Sequence, residues 1–99
     1  MAVIHGTEEN FNDLIKGELV LVDFFATWCG PCKMLAPVLE ELEGINIVKI
    51  DVDECPTLAR QFGIMTVPTL MIFKAGEIKA TQSGAMPKPM LENWIDQNK

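Results

Sequence analysis

Two runs rich in β-formers organise the chain. Leu19 to Ala26 (LVLVDFFA) is almost continuously apolar, and Ile45 to Val52 (INIVKIDV) is a second such run. Patterns of this kind predict strands covered on both faces. Between them Leu35, Val38, Leu39 and Leu42 recur at i, i+3, i+4, i+7, which predicts an amphipathic helix from Pro31 or Cys32 to near Gly44. Pro37 falls inside it, where it removes one backbone donor and is expected to bend the axis. Strand, helix and strand in this order make a parallel βαβ unit, right-handed by the general rule.

Flanking signals extend this centre. Val3 to His5 reads as a short edge strand. Thr7 is placed as an N-cap, with Glu8 and Glu9 in a first helical turn and Phe11, Leu14 and Ile15 on one face, so the first helix is expected to end near Gly17. Pro56 opens a short third helix with Leu58 and Phe62 one turn apart and Gly63 past its end. TLMIF and EIKAT flank Lys74-Ala75-Gly76, a hairpin signal. Pro87 and Pro89 begin a last helix with Leu91, Trp94 and Ile95 on one side. The order β-α-β-α-β-α-β-β-α predicts an α/β fold, a mixed central sheet with helices on both faces.

At 99 residues the whole chain, 1–99, reads as a single domain, so fold and site share one core. A net charge of −6 argues against binding a phosphate backbone or an anionic membrane surface. The first residues lack a basic, then apolar, export pattern and no run is long enough to span a bilayer, so a cytoplasmic location is expected. Three cysteines, an odd number, fit a reducing compartment, where a close pair is catalytic or metal-binding more often than structural.

That pair is Cys29-Gly30-Pro31-Cys32, just beyond the C-terminal end of a central strand and at the start of the next helix, where reactive groups of open α/β sheets gather. The helix N-terminus favours thiolate at the first cysteine, which makes Cys29 the better nucleophile and Cys32, a turn deeper, the resolving thiol. Gly30 allows the tight turn, while Pro31 suits the first helical position and stiffens it. A thiol–disulfide exchange pair is one reading. A zinc site drawing Cys29, Cys32, Cys55 and His5 together is a second, although no second close Cys or His pair accompanies the first. Redox-independent docking is a third. Cys55 on its own reads as a small hydrophobe at the start of the third helix.

Trp28-Cys29-Gly30-Pro31-Cys32-Lys33 resembles the active site of the thioredoxin family, and the element order resembles that family's fold over essentially the whole chain. The resemblance implies a protein-disulfide reductant that cycles between dithiol and a Cys29–Cys32 disulfide with no other cofactor and no metal. It implies a monomer served by a thioredoxin reductase and acting on disulfide-containing client proteins. By position it assigns Asp23 to proton transfer at the resolving cysteine, with Lys49 as its modulating neighbour. Val67-Pro68-Thr69 matches the family's cis-proline segment, which with Met65 and Thr66 before it is assigned to substrate binding, and Gly84 and Ala85 match the third edge of the substrate groove. With Trp28 these residues are expected to form an apolar patch around Cys29. Phe25 departs from the family pattern, which often has Trp there.

Overall fold

The computed structural model describes residues 3–99. Its elements follow the expected order: β1 (Val3–His5), α1 (Phe11–Leu14), β2 (Val20–Phe25), α2 (Gly30–Glu41), β3 (Asn46–Asp51), α3 (Pro56–Gln61), β4 (Thr69–Lys74), β5 (Glu77–Ser83) and α4 (Lys88–Gln97). The sheet runs β1-β3-β2-β4-β5. β1, β3 and β2 are parallel, β4 runs antiparallel to β2, and β5 runs antiparallel to β4. The β2-α2-β3 unit thus sits at the centre, and the first turn of α2 lies beyond the C-terminal end of a strand paired on both sides.

Strand alternation sorts the core into two layers. Val20, Val22 and Phe24 of β2 join Phe11, Ile15 and Leu58 on the side of α1 and α3. Leu21 joins Leu35, Leu39, Leu91 and Ile95 on the side of α2 and α4. By the same alternation Asp23 and Phe25 face the α2 and α4 side. Because both faces of β2 are covered, nearly every residue in it is buried, which explains its unbroken apolar sequence.

The first helix is shorter than its periodicity predicts. Thr7 and Asn10 bond reciprocally: the Thr7 N–H donates to Asn10 Oδ1 at 2.7 Å and the Asn10 N–H to Thr7 Oγ1 at 3.2 Å. This closes a turn over the residues expected to be the first helical turn, so the helix proper starts at Phe11. Glu8 serves another element, its Oε2 accepting from the Thr57 N–H at 2.7 Å at the start of α3. Pro37 is accommodated inside α2 with its ring exposed to solvent.

The β4–β5 hairpin turns through Ala75 and Gly76, both with positive φ, at 53° and 84°. Two left-handed central residues give the turn whose twist matches the strands. Glycine adopts this readily, whereas alanine does so at a cost of about 1–2 kcal/mol. The Ala75 N–H donates to the Gly17 carbonyl at 3.0 Å, which ties the turn to the segment leading into β2.

Candidate active site

Cys29 and Cys32 form a disulfide, with Cα atoms 5.2 Å apart. Cys29 is the N-cap of α2 in extended conformation, and Gly30 and Pro31 occupy its first two helical positions. The Cys32 N–H donates to Cys29 Sγ at 3.1 Å. In the reduced state that donor and the dipole of a 12-residue helix both favour negative charge on Cys29. Both cysteines are 3% exposed and pack with Ala26, Phe25, Val52 and Val67, so the disulfide lies under a shallow apolar cover.

Beside it runs the segment 64–68. The Val67–Pro68 bond is cis, and the Val67 carbonyl oxygen lies 3.6 Å from Cys29 Sγ. Thr69 Oγ1 donates to the Thr66 carbonyl at 2.7 Å, and the Gly84 N–H donates to the Pro68 carbonyl at 2.8 Å. These bonds fix the segment from both ends. A cleft of about 180 Å³ is lined by Trp28, Val52, Ile64, Met65, Thr66 and Val67. Met65 is 91% exposed and Trp28 68%, large apolar surface left open to solvent. Gly84 and Ala85 do not line this cleft: Gly84 joins the site through its bond to Pro68, and Ala85 is exposed beyond it.

Sequence reasoning missed Asp53, Val52 and Ile64. Trp28 Nε1 donates to Asp53 Oδ2 at 2.9 Å, a contact across 25 residues that spacing alone does not reveal. Asp51 Oδ1 shapes the turn beneath it by accepting from the N–H groups of Asp53 and Glu54. The acid-rich DVDE stretch after β3 carried the only signal, a turn directly following a strand end. Replacing Asp53 by Ala removes one hydrogen bond of about 1 kcal/mol, so kcat/KM for client reduction is expected to fall by a factor of about 5. Steady-state kinetics check this, with Asp53→Asn, which retains an acceptor oxygen, remaining near the unmodified protein.

Asp23 and Lys49 stand opposite each other in the β2–β3 register. The carboxylate is 0% exposed, and neither oxygen has a hydrogen-bond partner among the described residues. Lys49 Nζ is 3.6 Å from Asp23 Oδ2, a charge contact too long for a hydrogen bond. Burial raises the Asp23 pKa to about 6, and the Lys49 ammonium opposes that rise without cancelling it. Lys49 Nζ also lies 4.5 Å from the centroid of the Phe25 ring, which the His5 ring meets edge-on at 6.2 Å between centroids.

The zinc set is not brought together. Cys29 and Cys32 are bonded to each other, Cys55 is buried in the layer under α1 and α3, and His5 is exposed on the edge strand. Among the described residues no group of three or more His, Cys, Asp or Glu side chains is placed to hold a metal ion. Burial, with Glu8, Glu54, Asp51 and Glu9 nearby, raises the Cys55 pKa, which keeps this thiol protonated and a poor nucleophile at neutral pH. No helix among the described residues is long and apolar enough to cross a membrane.

Comparison with known proteins agrees with this geometry. The family model described as Thioredoxin matches residues 2–97. A thioredoxin of Staphylococcus saprophyticus is 50% identical over 103 residues, covering 99% of each chain. One from Bacillus subtilis is 44% identical over the same share of both. Among solved structures, a mutant thioredoxin from Halobacterium salinarum superposes with a TM-score of 0.90 at 36% identity, covering 97% of this chain and 89% of that one.

Proposed function

The chain belongs to the thioredoxin family and is a thiol–disulfide oxidoreductase, and from that premise we propose how its residues divide the work. In the reduced protein Cys29 thiolate attacks one sulfur of a client disulfide. The client's S–S bond breaks, a Cys29–client disulfide forms, and the first client sulfur leaves as thiolate. Asp23 carboxylate then takes the proton of Cys32. The resulting thiolate attacks Cys29 Sγ, the mixed disulfide breaks, and the second client sulfur departs. Two electrons have passed to the client, and the protein is left as the Cys29–Cys32 disulfide.

The observation that carries this reading is a redox-active pair at a helix N-terminus, flush with an open apolar cleft. An extended client segment alongside Met65, Thr66, Val67 and Pro68 would bring its sulfur to Cys29, with Trp28 as the opposite wall and Gly84 and Ala85 as the far edge. Asp23 suits proton transfer because a carboxyl with a pKa of about 6 exchanges protons readily near neutrality. Lys49 limits how far that value rises. A thioredoxin reductase recharges the pair with electrons from NADPH or ferredoxin, and the protein works as a cytoplasmic monomer without an organic cofactor. The net charge of −6 speaks against nucleic acid, and the exposed apolar surface of Trp28 and Met65 beside Cys29 speaks for protein clients.

The test is stoichiometric. Pre-reduced protein mixed with excess disulfide-bonded protein is expected to reduce one client disulfide per chain while converting Cys29 and Cys32 to their disulfide, as read by alkylation and mass spectrometry. Client reduction by a Cys29→Ser, Cys32→Ser double variant would overturn the reading.

A further inference from the structure

The Lys49 side chain has two attractions available to it, and its geometry is a compromise between them. Asp23 lies opposite it in register, fully buried, with two oxygens that no described residue hydrogen-bonds. An ammonium on a flexible four-carbon stem at this place would normally close to about 2.8 Å on such a carboxylate. It stands instead at 3.6 Å, and 4.5 Å from the centroid of Phe25. Phe25 lies two residues beyond Asp23 on the same strand and the same face, so its ring flanks the path between Lys49 and the carboxylate. The face of an aromatic ring attracts a cation most strongly where water is excluded. Here Lys49 is only 9% exposed.

We propose that Phe25 is a positioning residue for the release of client. Its ring engages the Lys49 ammonium and holds it off Asp23, which leaves the carboxylate oxygens free to accept the Cys32 proton. The ring is itself braced by His5, edge-on from β1, whose register partner is Lys49. Proton acceptance at Asp23 rests on the function proposed above, whereas the restraint on Lys49 does not. Among the described residues Lys49 of β3 is the charged group within salt-bridge distance of this carboxylate. His5 of β1 lies against the Phe25 ring, β4 sets apolar Leu70 opposite Asp23, and the apolar clusters on this side of the sheet hold Leu35, Leu39 and the cysteine pair. Lys33 and Glu40 of α2 are exposed.

Without the ring, the ammonium is free to close on Asp23 as a hydrogen-bonded ion pair. The experiment compares the unmodified protein with Phe25→Leu, which keeps apolar bulk but has no π face, and Phe25→Trp, which restores a stronger one. Titration of the Asp23 carboxyl carbon by NMR, in the oxidised protein and without client, is expected to move down by about one pH unit or more in Phe25→Leu and to return in Phe25→Trp. The pH at which mixed-disulfide release is half-maximal is expected to follow. A midpoint in folded Phe25→Leu that matches the unmodified protein overturns the proposal. If Phe25→Leu does not fold, Phe25→Trp decides alone: a midpoint at or above that of the unmodified protein supports the proposal, and a lower one overturns it. A shifted titration with an unshifted release profile keeps the restraint of Lys49 by the Phe25 ring, but overturns both the part of Phe25 in client release and the part of Asp23 in proton transfer.

Discussion

Reduced Cys32→Ser, mixed with a disulfide-bonded protein, is expected to accumulate a covalent adduct through Cys29 and to release client at least about 10³-fold more slowly than the unmodified protein. The size of the effect follows from proximity. Cys32 is one helical turn from Cys29, with Cα atoms 5.2 Å apart and its own N–H already bonded to Cys29 Sγ. Attack from that position is intramolecular, and effective concentrations for well-placed groups far exceed those of any thiol in solution. A serine hydroxyl has no comparable nucleophilicity at neutral pH, so the mixed disulfide waits for an external thiol. Non-reducing electrophoresis and mass spectrometry of the adduct check this. Rapid turnover by Cys32→Ser would take the resolving role away from Cys32.

The second large effect concerns stability. Asp23 ionises at about 6 in the folded protein against 3.8 as the ordinary value, a difference worth about 3 kcal/mol between its two protonation states. The raised value means that the folded state binds the proton more tightly than the unfolded chain does. Stability associated with this group is therefore full below pH 3.8, falls as pH rises towards 6, and stays lost above that. Asp23→Asn cannot ionise, so at pH 7 it is expected to be more stable than the unmodified protein by roughly 2–3 kcal/mol, while near pH 4 the two differ little. Urea unfolding of both proteins between pH 4 and 7.5 measures the gap. Parallel curves would mean that burial does not hold Asp23 protonated. The same variant loses the proton acceptor, so its release step is expected to slow at neutral pH, an instance of stability given up at a working site.

Much of this was legible in the sequence because local pattern and tertiary context agree. Leu19 to Ala26 reads as a doubly covered strand and holds one at Val20–Phe25, and Cys29-Gly30-Pro31-Cys32 reads as the start of a helix and forms the cap and first turn of one. Asp23 stands out as the sole acid in an apolar run, which is the mark of a buried charge. Its orientation was not legible, since a strand covered on both faces has no alternation to reveal which residues face α2. The register with Lys49 and the shared face with Phe25 fix it. Asp53 and Ile64 were missed because their part in the site depends on contacts between segments far apart in the chain. The first helix was overextended for a local reason: Thr7 and Asn10 satisfy each other, so the backbone turns before it begins to wind.

The central claim is that Cys29 and Cys32 form a reversible two-electron couple that gives electrons to client disulfides. It is tested most directly by the fraction of Cys29–Cys32 disulfide across a series of dithiothreitol redox buffers, read by alkylation and mass spectrometry. A reversible transition is expected in which a tenfold change in ratio spans about 30 mV, with a midpoint more reducing than about −220 mV. A midpoint near −120 mV, as in strongly oxidising pairs, or a disulfide that no buffer opens, would contradict it.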